Sequence, residues 1–168
     1  MHAVEDERQA IRKAIATIGD FTGKAPRGWL GPGLAETAET LDILAEEGIE
    51  YICDWVMDDQ PCEMKTTTKP VVMVPYSVEL NDISIIVLQQ HESRVLYERT
   101  MAQFERLYRE GEDSARVMAL CVHPYVSGVP HRIAQFERIF EELTSRPGVL
   151  FWTNEQILDW YKSTREDA

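Results

Sequence analysis

The chain has 168 residues, 44% hydrophobic and 27% charged, which suits a single domain with a sizeable core. Its formal charge of −12 argues against a nucleic-acid partner and against an anionic membrane surface, because both want a basic face. No apolar run approaches the length of a membrane helix, and the start Met1-His2-Ala3-Val4-Glu5-Asp6-Glu7 has neither the basic flank nor the apolar centre of a signal peptide, so a cytoplasmic protein is expected.

In chain order, residues 4–21 carry Ile11, Ala14, Ile15 and Ile18 at helical spacing, and Gly23 and Pro26 end that helix. Residues 27–30 read as a short strand or strand end, broken by Gly31-Pro32-Gly33. A helix over 36–47 stops at Gly48, and 49–55 read as a buried strand. Residues 56–70 are polar and punctuated, which predicts a long loop of the kind that often carries function. A strand follows over 71–76, and 83–88 fit a strand or a helix equally.

Residues 92–109 form a helix with Val95, Leu96, Met101, Phe104, Leu107 and Tyr108 on its apolar face. A buried strand over 116–122 ends at His123-Pro124-Tyr125, where the chain turns. A helix over 133–143, a strand over 149–152 and a last helix over 154–161, capped by Thr153 or Asn154, complete the series. Alternating strands and helices imply an α/β fold with a mostly parallel sheet, as a barrel or a doubly wound sheet. Sites in either form at the C-terminal ends of the strands. That rule singles out residues 29–33, 54–59, 76–82 and His123.

Each of these places admits a bland reading beside a functional one. Arg27, Trp29 and the glycines after it combine a cation, an indole and a main chain open to close approach, or they make a tight turn with Trp29 in the core. Asp54 follows a buried strand, where a carboxylate needs a partner, either a histidine to orient or an arginine such as Arg27 to hold. Trp55 adds a second indole, and Asp58 and Asp59 read as solvated loop charges. Tyr76, Ser77, Glu79, Asn81 and Asp82 suit a polar ligand or plain turn chemistry. His123 ends an apolar run and fits a general acid, a general base, a metal ligand or a structural histidine. Cys53, Cys62 and Cys121 form neither a disulfide framework nor a thiolate metal site. The sequence has no G-x-S-x-G elbow, P-loop, G-x-G-x-x-G, H-E-x-x-H or H-x-x-x-H pattern.

Four stretches in order resemble the polysaccharide-deacetylase superfamily, the NodB-homology or carbohydrate-esterase-4-like group, in its allantoinase-like branch. They are Pro26-Arg27-Gly28-Trp29-Leu30-Gly31-Pro32-Gly33, Ile52-Cys53-Asp54-Trp55 through Asp58-Asp59-Gln60-Pro61, Val74-Pro75-Tyr76-Ser77-Val78-Glu79-Leu80-Asn81-Asp82, and Met118-Ala119-Leu120-Cys121-Val122-His123-Pro124. The resemblance implies a partial (β/α) barrel over 1–168 as one truncated domain without its N-terminal strands. It also implies metal-dependent hydrolysis of a C–N bond other than a peptide bond, in an N-acetyl sugar or a small polar amide such as a cyclic ureide.

By the same resemblance, His123 is the acid on the leaving group, Arg27 steadies the catalytic aspartate and Asp54 tunes the histidine. Trp29, Trp55, Tyr76, Glu79, Asn81 and Asp82 would contact substrate. The family uses a divalent metal such as zinc, but its aspartate pair and paired histidines precede the equivalent of the first helix here, so no metal ligand carries over. Open sheet edges would then favour a homo-oligomer. The alternatives are a metal-free remnant that binds a small ligand and a subunit that completes a barrel with another chain.

Overall fold

A computed structural model describes residues 6–166; His2 and the start of the first predicted helix lie outside them. The single domain expected over 1–168 divides into two compact units. Met1–Pro75 with Trp152–Ala168 form the first, and Tyr76–Phe151 form the second.

In the first unit, the helical spacing of the opening segment becomes α1, Glu7–Thr22. Asp6 caps it by accepting the Gln9 N–H at 2.9 Å, and Gly23 closes it by donating to the Gly19 carbonyl at 2.8 Å. Only the first half of its apolar stripe reaches the core: Ile11 is fully buried, whereas Ile18 is 46% and Phe21 91% exposed.

The sheet holds β1 (Gly28–Trp29), β2 (Tyr51–Ile52), β3 (Cys62–Met64) and β4 (Val71–Met73), in the order β1-β2-β4-β3. β1 with β2 and β2 with β4 are parallel, with Trp29 opposite Ile52 and Ile52 opposite Met73. β3 corrects the expectation of an unbroken loop over 56–70. It pairs antiparallel along β4, with Cys62 opposite Met73, and its exposed Glu63 between half-buried neighbours is the alternation of an edge strand.

A 3-10 turn, Pro32–Leu34, leads to α2, Thr40–Glu46. α2 starts later than predicted because side chains compete for the backbone before it: Thr40 Oγ1 accepts the Thr37 N–H at 2.7 Å, and Thr37 Oγ1 donates to Glu7 at 2.6 Å. Ile11, Ile43, Leu44, Ala45, Ile49, Ile52 and Val71 pack as one core. Each large aliphatic side chain there contributes about 1.5–3 kcal/mol through burial. α6, Asn154–Glu166, buries Ile157, Leu158 and Tyr161 and is tied down by Lys24–Glu155 at 2.8 Å, Arg27–Asp159 at 2.8 Å and Lys162–Glu50 at 2.5 Å.

In the second unit, the ambiguous stretch resolves into a π-helical turn, Ile83–Leu88, closed by the Gln89 N–H on the Ser84 carbonyl at 3.0 Å. α3, Ser93–Glu110, buries Leu96, Thr100, Phe104 and Leu107, a stripe at helical spacing. α4 is a single turn, Pro124–Ser127, and α5 runs Ile133–Ser145 with Ile139 and Leu143 inward. These helices share a core of Ile85, Ile86, Leu96, Phe104, Val126, Ile139 and Leu143.

Two predicted strands do not form here. Residues 116–122 make one isolated parallel bridge, Asn81 with Cys121. Residues 149–152 join no strand among the described residues, and Leu150, Phe151 and Trp152 are 65%, 52% and 41% exposed. An apolar run is only a side-chain pattern, and a strand also needs a neighbour to share its hydrogen bonds.

Candidate active site

The bridge between Asn81 and Cys121 sets the register of the second unit's polar cluster. The Cys121 N–H donates to the Leu80 carbonyl at 2.8 Å, and the Asp82 N–H donates to the Cys121 carbonyl at 3.1 Å. This pairing carries Asp82 to His123 just beyond it. Pro124 then opens α4, as proline does at a first helical position, and the carbonyl of His123 accepts the Val126 and Ser127 N–H groups at 2.8 and 2.9 Å.

Asp82 is fully buried and accepts three short hydrogen bonds. Its Oδ1 meets His123 Nδ1 at 2.6 Å, and its Oδ2 takes the His123 backbone N–H and the Ser127 hydroxyl, both at 2.7 Å. A carboxylate only accepts, so the ring donates through Nδ1–H and leaves Nε2 for proton exchange. The imidazole side chain is 33% exposed, and the exposed ring of Tyr125 stands edge-on to it with centroids 5.6 Å apart. A braced, half-open imidazole of this kind can move a proton to or from a bound molecule.

The neighbouring candidates divide. Asp82 was expected to touch substrate; its complete burial gives it the task of holding His123 instead. Asn81 Oδ1 accepts the Ile83 N–H at 2.9 Å, and Ser77 Oγ accepts the Leu80 N–H at 2.8 Å, which is the turn chemistry weighed against ligand binding. Glu79 is exposed, and Tyr76 hydrogen-bonds the Cys121 thiol. Burial pushes that thiol up, and its Sγ donates to the Ser77 carbonyl at 3.1 Å, so Cys121 is a packed, unreactive cysteine.

The first unit gathers a separate acidic cluster. Asp54 is buried, and both of its oxygens take the Gly31 N–H, at 2.7 and 2.9 Å. A Cβ on Gly31 would lie 2.6 Å from Asp54 Oδ2, so the main chain that glycine opens is filled by this carboxyl rather than left for a ligand. Asp54 also hydrogen-bonds Glu36, whose Oε2 accepts the Trp55 indole N–H at 2.6 Å.

Burial pushes Glu36 up to about 7, with the Trp55 bond opposing and Asp54 adding to the rise; burial pushes Asp54 up as well, against its bonds from Gly31 and Glu36. A buried polar atom beside this pair, Trp29 Nε1, has no hydrogen-bond partner among the described residues. Within the second unit, Asp82 is the carboxylate on the His123 ring.

Arg27 does not hold Asp54 either. Its Nε donates to Glu50 at 2.7 Å and its Nη2 to Asp159 at 2.8 Å, which raises the guanidinium and holds Glu50 down at about 2. Arg27 thus ties β1 to α6. Sequence alone places Glu36 only as the first residue of a helix and gives Ser127 no role. In the structure Glu36 lies in the loop before α2, and Ser127 lies one helical turn beyond His123, a spacing that flags it once α4 is placed. Among the described residues no three His, Cys, Asp or Glu side chains converge to hold a metal ion, so the divalent metal implied by the resemblance has no fitting ligand set here.

This fold is that of the polysaccharide-deacetylase and allantoinase class, as part of its (β/α) barrel. No family model matches the chain. Over 91% of its length it is 29% identical to a putative polysaccharide deacetylase of Schizosaccharomyces pombe, and over 92% it is 24% identical to a peptidoglycan deacetylase of Helicobacter pylori. Among solved structures, Puue allantoinase superposes on 94% of the chain with a TM-score of 0.86 at 28% identity. A probable polysaccharide deacetylase from Pseudomonas aeruginosa PAO1 does so on 93% with a TM-score of 0.84 at 27% identity. The chain covers 53% and 63% of the two curated relatives and 53% of each of these two structures. The resemblance carried by the four motifs is met in both sequence and fold.

Proposed function

We propose that the protein is a hydrolase of C–N bonds other than peptide bonds, acting on a small polar amide such as an N-acetyl sugar or a cyclic ureide. One observation carries the reading: a partly exposed His123 ring whose Nδ1 is taken by a fully buried Asp82, with the ring's other nitrogen left for proton transfer. The relatives named as deacetylases and an allantoinase supply the class of bond. In this role water adds to the carbonyl carbon, and protonated Nε2 delivers its proton to the nitrogen as the C–N bond breaks, so that the nitrogen leaves neutral and the carbonyl carbon becomes a carboxylic acid. Asp82 keeps the ring oriented and balances the charge of the protonated imidazole. No step is derived through a metal, because the described residues supply no ligand set for one.

Acetate release from N-acetylglucosamine oligomers and ureide hydrolysis of allantoin, compared between the protein and His123→Ala, test the proposal. A loss of about 100-fold or more is expected for the variant. Undiminished turnover in His123→Ala overturns it.

A second reading is favoured by the exposed apolar side chains Leu150 and Phe151, with Phe151 stacked on the exposed Phe140 at 5.6 Å. In that reading this face joins a second copy of the chain, and the protein works as an oligomer.

A further inference from the structure

We propose that Ser127 is a positioning residue for His123, acting through Asp82. The proposal rests on the reading of His123 as the proton-transfer group, which it deepens. A buried carboxylate bonded only to the histidine could turn about its Cβ–Cγ bond and offer either oxygen to the ring. Here Oδ2 is occupied twice, by the His123 backbone N–H and by the Ser127 hydroxyl, each at 2.7 Å. Two donors on one oxygen set the carboxylate plane and leave Oδ1 facing Nδ1 at 2.6 Å.

The choice made by the Ser127 hydroxyl is informative. Serine and threonine in helices commonly donate back to the carbonyl four residues earlier. Thr17, Thr100 and Thr144 do so in this chain, onto Lys13, Leu96 and Phe140, each at 2.7 Å. For Ser127 the corresponding carbonyl is that of His123, which accepts the Ser127 N–H, whereas the hydroxyl goes to Asp82. The side chain is buried at 4% exposure, so water does not compete for this bond. The single turn of α4 therefore brings two groups to one carboxylate from one short segment: the ring to be aimed and the hydroxyl that aims it.

The test reads the ring directly. Nitrogen-15 correlation spectra of the imidazoles, with His123 assigned by its loss in His123→Gln, report which nitrogen carries the proton and whether Nδ1–H is held. In the parent chain we expect one tautomer, protonated at Nδ1, with a slowly exchanging downfield Nδ1–H resonance. Ser127→Ala should lose that resonance and show mixed ring nitrogen shifts while its backbone amide spectrum stays otherwise unchanged; Asp82→Asn sets the limit of full loss. Should Ser127→Ala not fold, Ser127→Cys gives the same readout, because it keeps the volume and supplies only a weak donor. Parent-like ring shifts and a retained Nδ1–H in the folded variant overturn the proposal. The readout does not depend on turnover: an undiminished His123→Ala enzyme sinks the proposed function, whereas an unchanged ring in Ser127→Ala sinks the positioning role.

Discussion

Glu36→Gln isolates the proton that burial keeps on this carboxyl. In the folded chain Glu36 titrates at about 7 against an ordinary 4.5, with burial as the main cause. Between those two values the folded state holds a proton that the unfolded state has released, so this group's contribution to stability falls as pH rises through the window. The displacement sets a ceiling of ~3.4 kcal/mol at 1.36 kcal/mol per pH unit. Glu36 is only partly buried and shares its environment with Asp54, so screening brings the expected effect to about 1–2 kcal/mol.

Glutamine keeps an oxygen for the Trp55 indole N–H and brings an N–H for Asp54, so it mimics the protonated acid at every pH. Urea denaturation of both proteins, followed by tryptophan fluorescence, measures the difference at each pH. The variant should match the parent at about pH 5 and exceed it by about 1–2 kcal/mol at about pH 8. An unchanged pH dependence, or a variant less stable than the parent at the higher pH, refutes the reasoning.

Leu44→Ala removes a fully buried side chain from the first unit's core and should cost about 2–5 kcal/mol in chemical denaturation; a loss below about 1 kcal/mol would mean that the site collapses around the cavity. Arg27→Ala frees Glu50 from the guanidinium that helps hold it at about 2. Because the lowered Glu50 stabilises the fold above its ordinary value and loses that contribution as pH falls, the variant should unfold at higher pH in an acid titration followed by circular dichroism. An acid transition at the parent's pH would show that Lys162 alone keeps Glu50 ionised. Light scattering tests the apolar face of the second unit: a mass above one chain is expected at roughly tens of micromolar, and a monodisperse monomer removes the oligomer reading.

Local chemistry made much of the fold legible in the sequence. The helical stripe of Leu96, Phe104 and Leu107 and the wholly apolar Val71-Val72-Met73 needed no tertiary knowledge, because side-chain period and burial are linked within one element. The ordered motifs around Trp29, Asp54, Asp82 and His123 marked where polar groups would gather, and Asp54 and His123 each lie where an apolar run stops. Partners were another matter. Whether an extended segment becomes a strand depends on a neighbour: β3 found β4, whereas residues 149–152 join no strand among the described residues. Likewise the sequence resemblance assigns Asp54 to His123 and Asp82 to substrate. The parallel bridge at Cys121 brought Asp82 to the ring, and the close approach allowed by Gly31 turned Asp54 toward the backbone and Glu36. Composition and period are properties of neighbouring residues along the chain, but a hydrogen bond between residues 41 positions apart exists only once the backbone has set their distance, which is why the donors to Asp82 were the tertiary structure's to decide.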